Sequence, residues 1–337
     1  MKRSIQRVLI ILVILAISFG LTWAVAKYIA TPPPTGAAYR PAPDWPRLPD
    51  GSDMGQVGGI GVDSHGDIFV FHRAERVWEG EEIALELISS PTLLILEAAT
   101  GDLLESWGAE MFVMPHGLTI DDDDNLWLTD VGLHQVFKFD RAGNLLMVLG
   151  ERGVPGEDSA HFNMPTDVAV APDRSFYVSD GYRNSRIIKF SVDGDYITSW
   201  GSYGTGPGEF DVPHSIALDS DGHIYVADRG NARLQIFDEA GQFVTEWKGR
   251  SLGRPWAVRI SPSGDLFMID GGDQAEFWPD RARILKLDSE GRILASFGSY
   301  GDAPGQFVWP HALALGSDDT LYVGEVATGM RIQKFMK

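Results

Sequence analysis

One segment recurs along this chain and constrains its fold more than any other feature. Each copy opens with proline, continues as a short apolar strand, turns at Asp, Asn, Ser or Gly, and resumes as a second apolar strand. Because short apolar strands separated by such turn residues form antiparallel hairpins, each copy predicts a small β-meander. The opening prolines are Pro115, Pro165, Pro213, Pro255 and Pro310.

The spacing of the copies predicts how the meanders assemble. They follow one another at intervals of 50, 48, 42 and 55 residues. Periods of this length, with about four strands each, are typical of propeller blades. A sixth, divergent copy begins at Gly58, which lacks the proline but keeps the order of strand, Asp63 turn and strand. The sequence therefore predicts an all-β chain in which residues 54–337 form one six-bladed β-propeller.

The last copy is shorter than the others and predicts how the ring closes. It ends at Lys337, directly after its third strand. A blade without its outer strand would leave an open sheet edge with unpaired backbone groups. We expect the stretch from Tyr39 to Asp50, or the residues just beyond it, to supply the missing strand.

The N-terminal region has the pattern of a membrane anchor. The run from Val8 to Ala26 contains no charged residue and follows a basic flank made of Lys2, Arg3 and Arg7. Such a run predicts a transmembrane signal anchor over residues 1–30, with the basic end in the cytoplasm and the propeller outside it. The propeller would then touch the membrane only through this helix.

The same region leaves a second interpretation open. Ala24-Val25-Ala26 has the small-x-small form of a signal-peptide cleavage site, and cleavage would make the protein secreted. Both interpretations place the propeller outside the cytoplasm. Residues 31–53 are rich in proline and predict an extended linker that includes the possible closing strand.

Charge and cysteine content exclude several classes of function. The formal net charge is −19 at pH 7, which repels phosphate backbones and excludes a nucleic-acid partner. The chain has no cysteine, so disulfides, thiolate metal ligands and cysteine nucleophiles are excluded as well. We expect a monomeric propeller that acts on a small molecule or peptide.

Histidine recurs at one position of the repeat. The residue after the opening proline, at the start of the innermost strand, is in blade order Gly58, His116, Thr166, His214, Trp256 and His311. Alternate blades of a six-bladed ring stand about 120° apart, so the three imidazoles would converge on the central channel. Three neutral imidazoles with one open side are typical of a catalytic Zn²⁺ site. The alternative is three separate channel histidines, each bound to a backbone carbonyl.

A second repeat position lies at the end of the second strand. It holds, in blade order, His72, Asp130, Asp180, Asp228, Asp270 and Glu325. We interpret the acids as structural acceptors for turn backbone. Arg73 and Arg229 follow this position in two opposite blades, and they would either bind a carboxylate near the axis or form salt bridges at the rim. The phenol of Tyr182 in blade three would reach the same space.

At this point the residues match a known family. The segments MPHGLTI…DNLWLTDVGLHQVFKF, PTDVAV…FYVSDGYRNSRI, VPHSIAL…YVADRGNARLQIF and IFVFHRAERVW resemble the lyase domain of peptidylglycine α-amidating enzymes, within the wider NHL-repeat propellers. The resemblance covers about residues 54–337. It implies a lyase that cleaves the carbinolamide C–N bond of a peptidyl-α-hydroxyglycine, giving a peptide amide and glyoxylate.

The resemblance also implies site residues. The zinc ligands of the family match His116, His214 and His311. Its catalytic tyrosine matches Tyr182, and its two functional arginines match Arg73 and Arg229. The substrate implied is a small molecule or peptide that carries a carboxylate.

The family further holds a structural calcium through two backbone carbonyls and an aspartate. The carbonyl positions match Ile60 and Leu118. The aspartate is expected directly after the third histidine, where this chain has Ala312. Calcium is therefore either missing here or bound with water in place of the carboxylate.

Two alternatives to the amidating lyase remain open at this stage. One is a different metal-dependent lyase or hydrolase on the same propeller, such as a lactonase-like enzyme. The other is a non-catalytic, extracytoplasmic propeller that binds a protein or glycan.

Overall fold

The computed structural model describes residues 39–49, 54–78, 83–272 and 281–337. Within these ranges the chain forms twenty-four strands in six four-stranded sheets, and the strands within each sheet pair antiparallel. The predicted six-bladed all-β propeller is confirmed. The predicted anchor over residues 1–30 lies outside the described residues, as do linker residues 31–38 and 50–53. No helix of the described part is long and apolar enough to cross a membrane.

The first three blades each contain four strands that are consecutive in the chain. Blade one consists of β2 (Val57–Val62), β3 (Ile68–His72), β4 (Leu93–Leu96) and β5 (Leu103–Trp107). Blade two consists of β6 (Pro115–Ile120), β7 (Leu126–Asp130), β8 (Gln135–Phe139) and β9 (Leu145–Leu149). Blade three consists of β10 (Pro165–Val170), β11 (Phe176–Asp180), β12 (Arg186–Phe190) and β13 (Tyr196–Trp200).

The next two blades repeat this order, and the sixth departs from it. Blade four consists of β14 (Pro213–Leu218), β15 (Ile224–Asp228), β16 (Arg233–Phe237) and β17 (Phe243–Lys248). Blade five consists of β18 (Pro255–Ile260), β19 (Leu266–Asp270), β20 (Arg283–Leu287) and β21 (Ile293–Phe297). Blade six consists of β22 (Pro310–Leu315), β23 (Leu321–Glu325), β24 (Ile332–Met336) and the N-terminal strand β1 (Arg40–Pro41).

Strand β1 completes the last blade. Its two residues pair antiparallel with β24, and the Ala42 N–H donates to the Lys334 carbonyl at 2.7 Å. Just before it, the Tyr39 ring stacks on Phe297 of blade five with centroids 4.9 Å apart. The stretch predicted to supply the missing outer strand therefore does so, and it also packs against the neighbouring blade.

The core lies between adjacent blades. The second strand of every blade is buried at each position, whereas outer strands such as β9 and β13 are largely exposed or half-buried. Each core cluster between blades joins apolar side chains of both, as Trp127 of blade two and Phe176 of blade three show with ring centroids 4.3 Å apart. Each inner strand packs beside the inner strands of both neighbouring blades, and this holds all six around one channel.

The closing segment provides a direct test of this architecture. Tyr39→Ala removes a buried ring, a change that typically costs about 3–5 kcal/mol for large aromatics, so we expect the melting temperature to fall by roughly 6–15 °C. The matched control is Tyr203→Ala, because Tyr203 is 77% exposed. Thermal unfolding followed by circular dichroism would measure both. Equal melting temperatures for the two variants would contradict closure by this segment.

Candidate active site

A backbone irregularity at the start of each inner strand positions the residues that face the channel. In blade four, Pro213 pairs with Asp228 and Ser215 with Ala227, so His214 between them has no partner in the ladder. A register shift falls at the same place in all six blades. An extra residue of this kind bends the strand and redirects its side chain. The residues at the irregularity are those that the repeat alignment singled out.

The three histidines of this position converge as predicted. The ring centroids of His116, His214 and His311 lie 4.7 to 4.9 Å apart, and all three residues are buried. One ligand nitrogen from each ring lies within 4.8 Å of the other two. These three residues form one cluster at the channel, and that cluster could hold a metal ion.

A backbone carbonyl of the next blade orients each imidazole. The Nδ1 atom lies 2.7 Å from the Thr166 oxygen for His116, 2.6 Å from that of Trp256 for His214, and 3.0 Å from that of Gly58 for His311. A carbonyl can only accept, so each Nδ1 carries the proton and each Nε2 offers a lone pair. Metal-binding histidines are commonly oriented in this way. The histidines are therefore bound to backbone carbonyls through Nδ1, and this bonding leaves each Nε2 available to a metal ion.

The glycine in blade one is required by the same arrangement. A side chain at Gly58 would place its Cβ 2.7 Å from the carbonyl oxygens of both Pro115 and His116. The inner strands of blades one and two approach too closely for any larger residue. Gly58 therefore provides the carbonyl for His311 without a side chain of its own.

Burial and nearby cations keep the imidazoles neutral. Burial, followed by the charge of Arg73, lowers the pKa of His116 from its usual 6.5 to about 3. Burial, followed by the charge of Arg229, also holds the pKa of His214 well below 6.5. For His311 burial is again the largest cause of a pKa well below 6.5, with His116 next. Neutral imidazole is the form that binds a metal ion.

The three Nε2 lone pairs have too few donors among the described residues. The Tyr182 hydroxyl lies 3.1 Å from Nε2 of His116 and 3.0 Å from Nε2 of His214, but its one proton can serve only one of them. The Nε2 of His311 is buried and has no hydrogen-bond partner in the described structure. An unsatisfied buried acceptor is costly, and a cation between the three rings would satisfy it. The donor set therefore fits a metal ion.

Tyr182 and Arg229 lie together at the half-buried side of the cluster. The Arg229 guanidinium carbon lies 5.1 Å from the centre of the Tyr182 ring and 4.6 Å from that of Trp256, so two aromatic faces hold the cation. A nitrogen of the same guanidinium lies 3.4 Å from the phenol oxygen. The repeat position predicted Trp256 at the channel, but no local motif predicted its contact with Arg229.

Arg73 approaches from blade one and is held rigidly. Its Nε donates to the Pro115 carbonyl at 3.0 Å and one terminal nitrogen donates to the Gln56 side-chain oxygen at 2.6 Å. Its guanidinium carbon lies 5.1 Å from the centre of the Trp78 ring, and burial lowers its pKa to about 10. Trp78 in turn packs on Tyr182 with centroids 4.9 Å apart. Both predicted arginines therefore lie near Tyr182 at the cluster.

The residues matched to a calcium site lie on the inner strands of blades one, two and six. Ile60 is buried in β2 opposite Val70. The Leu118 carbonyl lies 3.4 Å from a guanidinium nitrogen of Arg259, a residue that sequence reasoning did not consider. Ala312 is buried among apolar neighbours.

The acids at the ends of the second strands are structural, as interpreted. Asp130 accepts backbone N–H groups from Val113 and Met114, which lead into the inner strand of the same blade. In blade one His72 replaces the acid, and its Nδ1 accepts from the N–H groups of Gly55 and Ala74, each at 3.2 Å. Burial lowers the pKa of His72 to about 4, which keeps Nδ1 available as an acceptor.

Comparison with known proteins agrees with this fold. The NHL repeat model matches residues 112–139, 162–190 and 210–237. A gluconolactonase of Xanthomonas campestris shares the fold, with a TM-score of 0.59, 13% identity, and coverage of 89% of this chain and 98% of that one. Fold and repeats together define an NHL-type propeller.

Sequence relatives define the family more closely. The chain is 44% identical to a probable peptidyl-alpha-hydroxyglycine alpha-amidating lyase of Caenorhabditis elegans, over 81% of each chain. It is 40% identical to peptidyl-glycine alpha-amidating monooxygenase B of Xenopus laevis over 84% of this chain, but spans only 34% of that protein. The chain belongs to the peptidyl-α-hydroxyglycine α-amidating lyase family, and it covers about a third of the length of the monooxygenases that it matches.

The neutral state of His72 predicts a pH dependence of stability. Its pKa is about 4 in the fold against an ordinary 6.5, so between these values the unfolded chain binds a proton that the folded chain does not. Its contribution to stability is therefore full above about pH 6.5 and declines by up to about 3 kcal/mol as the pH falls to about 4.

Urea unfolding of wild type and His72→Gln between about pH 7 and pH 4 measures this contribution. We expect the free energy of unfolding to decline less steeply with falling pH in the variant. His65→Gln is the control, because His65 lies in an exposed turn. A pH dependence of His72→Gln that matches wild type and His65→Gln would show that His72 is not the source.

Proposed function

We propose that this chain is a zinc-dependent lyase that cleaves peptidyl-α-hydroxyglycine into a peptide amide and glyoxylate. One observation carries the proposal: a single phenol oxygen lies 3.0 to 3.1 Å from two of three convergent, neutral imidazoles and 3.4 Å from a guanidinium nitrogen. A Lewis-acid position, a proton carrier and a cation thus meet at one point. The names of the family's lyases support the same reaction.

The metal in this proposal is zinc. The Nε2 atoms of His116, His214 and His311 would hold it, and three histidines are a known catalytic zinc set. When bound, it supplies a Lewis acid that stabilises negative charge on the substrate's hydroxyl oxygen. The Nδ1–carbonyl bonds of the protein keep all three rings in the binding orientation with or without the ion.

The bond changes balance without an oxidant, a reductant or water. The C–N bond breaks and its electron pair goes to the amide nitrogen, which takes up a proton. The hydroxyl group loses a proton, and its O–H electron pair becomes the second C–O bond of glyoxylate. A residue that accepts the first proton and delivers one to nitrogen would therefore serve both halves of the step.

Tyr182 is suited to that transfer. Its hydroxyl already bridges toward two of the imidazoles, so a substrate hydroxyl at the cluster would lie within its reach. The Arg229 nitrogen beside the phenol oxygen favours negative charge there when the proton leaves. The Trp78 ring packs against the phenol ring and limits its movement.

The two arginines are suited to the substrate carboxylate. The protein as a whole is strongly acidic, yet this site combines two guanidinium groups with uncharged imidazoles. Arg73 uses its Nε and one terminal nitrogen on protein acceptors, which leaves the second terminal nitrogen without a partner among the described residues. A guanidinium fixed in this way binds a planar carboxylate at low entropic cost.

Glyoxylate release from α-hydroxyhippurate tests the proposal. We expect turnover by the zinc-loaded wild type, and a fall in kcat of about 10²–10⁴-fold in Tyr182→Phe, because the proton carrier is lost while the ring contacts remain. Tyr203→Phe changes an exposed ring and should keep full activity.

Three outcomes would contradict the lyase. They are an inert zinc-loaded wild type, equal activity in Tyr182→Phe and wild type, and turnover of an aliphatic lactone in place of the hydroxyglycine substrate. The last outcome would support the lactonase-like alternative. Metal analysis of each sample distinguishes a loss of activity from a loss of bound zinc.

A further inference from the structure

A charged side chain occupies the channel beside the histidine cluster. One cavity is lined by the three histidines and also by Asp167, Ser215 and Arg259. The Arg259 guanidinium lies 2.9 Å from one Asp167 carboxylate oxygen and 3.3 Å from the other, and it donates to the Ser215 hydroxyl at 3.1 Å. It also lies 3.4 Å from the Leu118 carbonyl.

Two of these contacts, from Arg259 to Asp167 and to Leu118, join inner strands that are not neighbours. Leu118 belongs to blade two, Asp167 to blade three, Ser215 to blade four and Arg259 to blade five. A single guanidinium therefore connects the inner strands of four blades across the channel. This is the mechanical role that a bound cation would have in the same place.

The Asp167 carboxylate accepts several hydrogen bonds besides those from Arg259. It accepts from the Ser215 hydroxyl at 2.7 Å and from the backbone N–H groups of Val168 at 3.0 Å and Ile216 at 3.3 Å. The Asp167 side chain is 4% exposed and that of Arg259 is 21% exposed. A buried ion pair is stable only when its remaining hydrogen-bonding groups are paired in this way.

The residues at this level of the channel do not fit calcium. Calcium is bound by six to eight oxygen ligands, with carboxylates supplying the charge. The carboxylate expected after the third histidine is replaced by Ala312. The Leu118 carbonyl faces the Arg259 guanidinium, whose positive charge would repel a divalent ion there. The nearby Asp167 carboxylate is already paired with the same guanidinium.

We propose that the Arg259–Asp167 ion pair replaces a structural calcium ion as the clamp that holds the inner strands of this propeller together. The clamp is part of the polypeptide, so it requires no external ion and no chelator can remove it. It is independent of the proposed lyase activity, because it concerns the stability of the channel and not the bond that is cleaved.

Metal content and thermal stability of the full chain test the proposal without any variant. After exposure to about 1 mM CaCl₂ and dialysis, we expect mass spectrometry to find calcium far below one ion per chain. The melting temperature should be the same in CaCl₂ and in EGTA, with zinc measured in the same samples. Calcium near one ion per chain, together with a melting temperature that falls in EGTA, would overturn the proposal.

A substitution tests the clamp itself. Arg259→Gln leaves the Asp167 carboxylate buried without its cation, so we expect the melting temperature to fall by about 10 °C relative to wild type. Arg250→Gln is the control, since Arg250 is exposed. Asp167→Asn/Arg259→Gln removes both charges and should recover part of the loss. Equal stability of Arg259→Gln and Arg250→Gln would show that the pair is no clamp.

Discussion

The site depends on three hydrogen bonds between an imidazole Nδ1 and a backbone carbonyl of the next blade. Histidines in blades two, four and six alternate with carbonyls in blades three, five and one. Each bond orients one ring toward the channel and ties two inner strands together, so the fold and the site are stabilised by the same contacts. The bond from His311 to Gly58 also joins the last blade to the first, so it helps to close the ring.

Two groups of side chains set the charge at the channel. At the histidines, burial and two arginines keep the imidazoles neutral and give the site an excess of positive charge inside an acidic protein. Beside them, the positive charge of Arg259 is balanced by Asp167. The unbalanced positive charge that would attract an anionic substrate is therefore that of the two arginines near the histidines. The clamp supports the strands without adding to the field that acts on the substrate.

The sequence predicted the ring and the histidines because both are properties of a repeat. A residue that recurs at one position of each blade is detectable without coordinates, and the short last copy indicated where the chain must close. The Arg259–Asp167 pair and the contacts of Arg229 with Tyr182 and Trp256 were missed for a physical reason. Arg259 and Asp167 are 92 residues apart in sequence, and Arg229 and Tyr182 are 47 residues apart. Only the curvature of the ring brings such partners together. His72 was visible as an exception, but its role as a neutral acceptor required the positions of the Gly55 and Ala74 N–H groups.

Zinc K-edge X-ray absorption of the purified full chain tests whether the three imidazoles hold a metal ion through Nε2. We expect about four nitrogen or oxygen ligands at about 2.0–2.1 Å, with multiple scattering from three imidazole rings. In His214→Ala the imidazole contribution should fall or zinc should be lost. His223→Ala is the control and should match wild type, because His223 lies in a hairpin turn. A spectrum without imidazole scattering, or one that His214→Ala leaves unchanged, would show that the three histidines do not form the metal site.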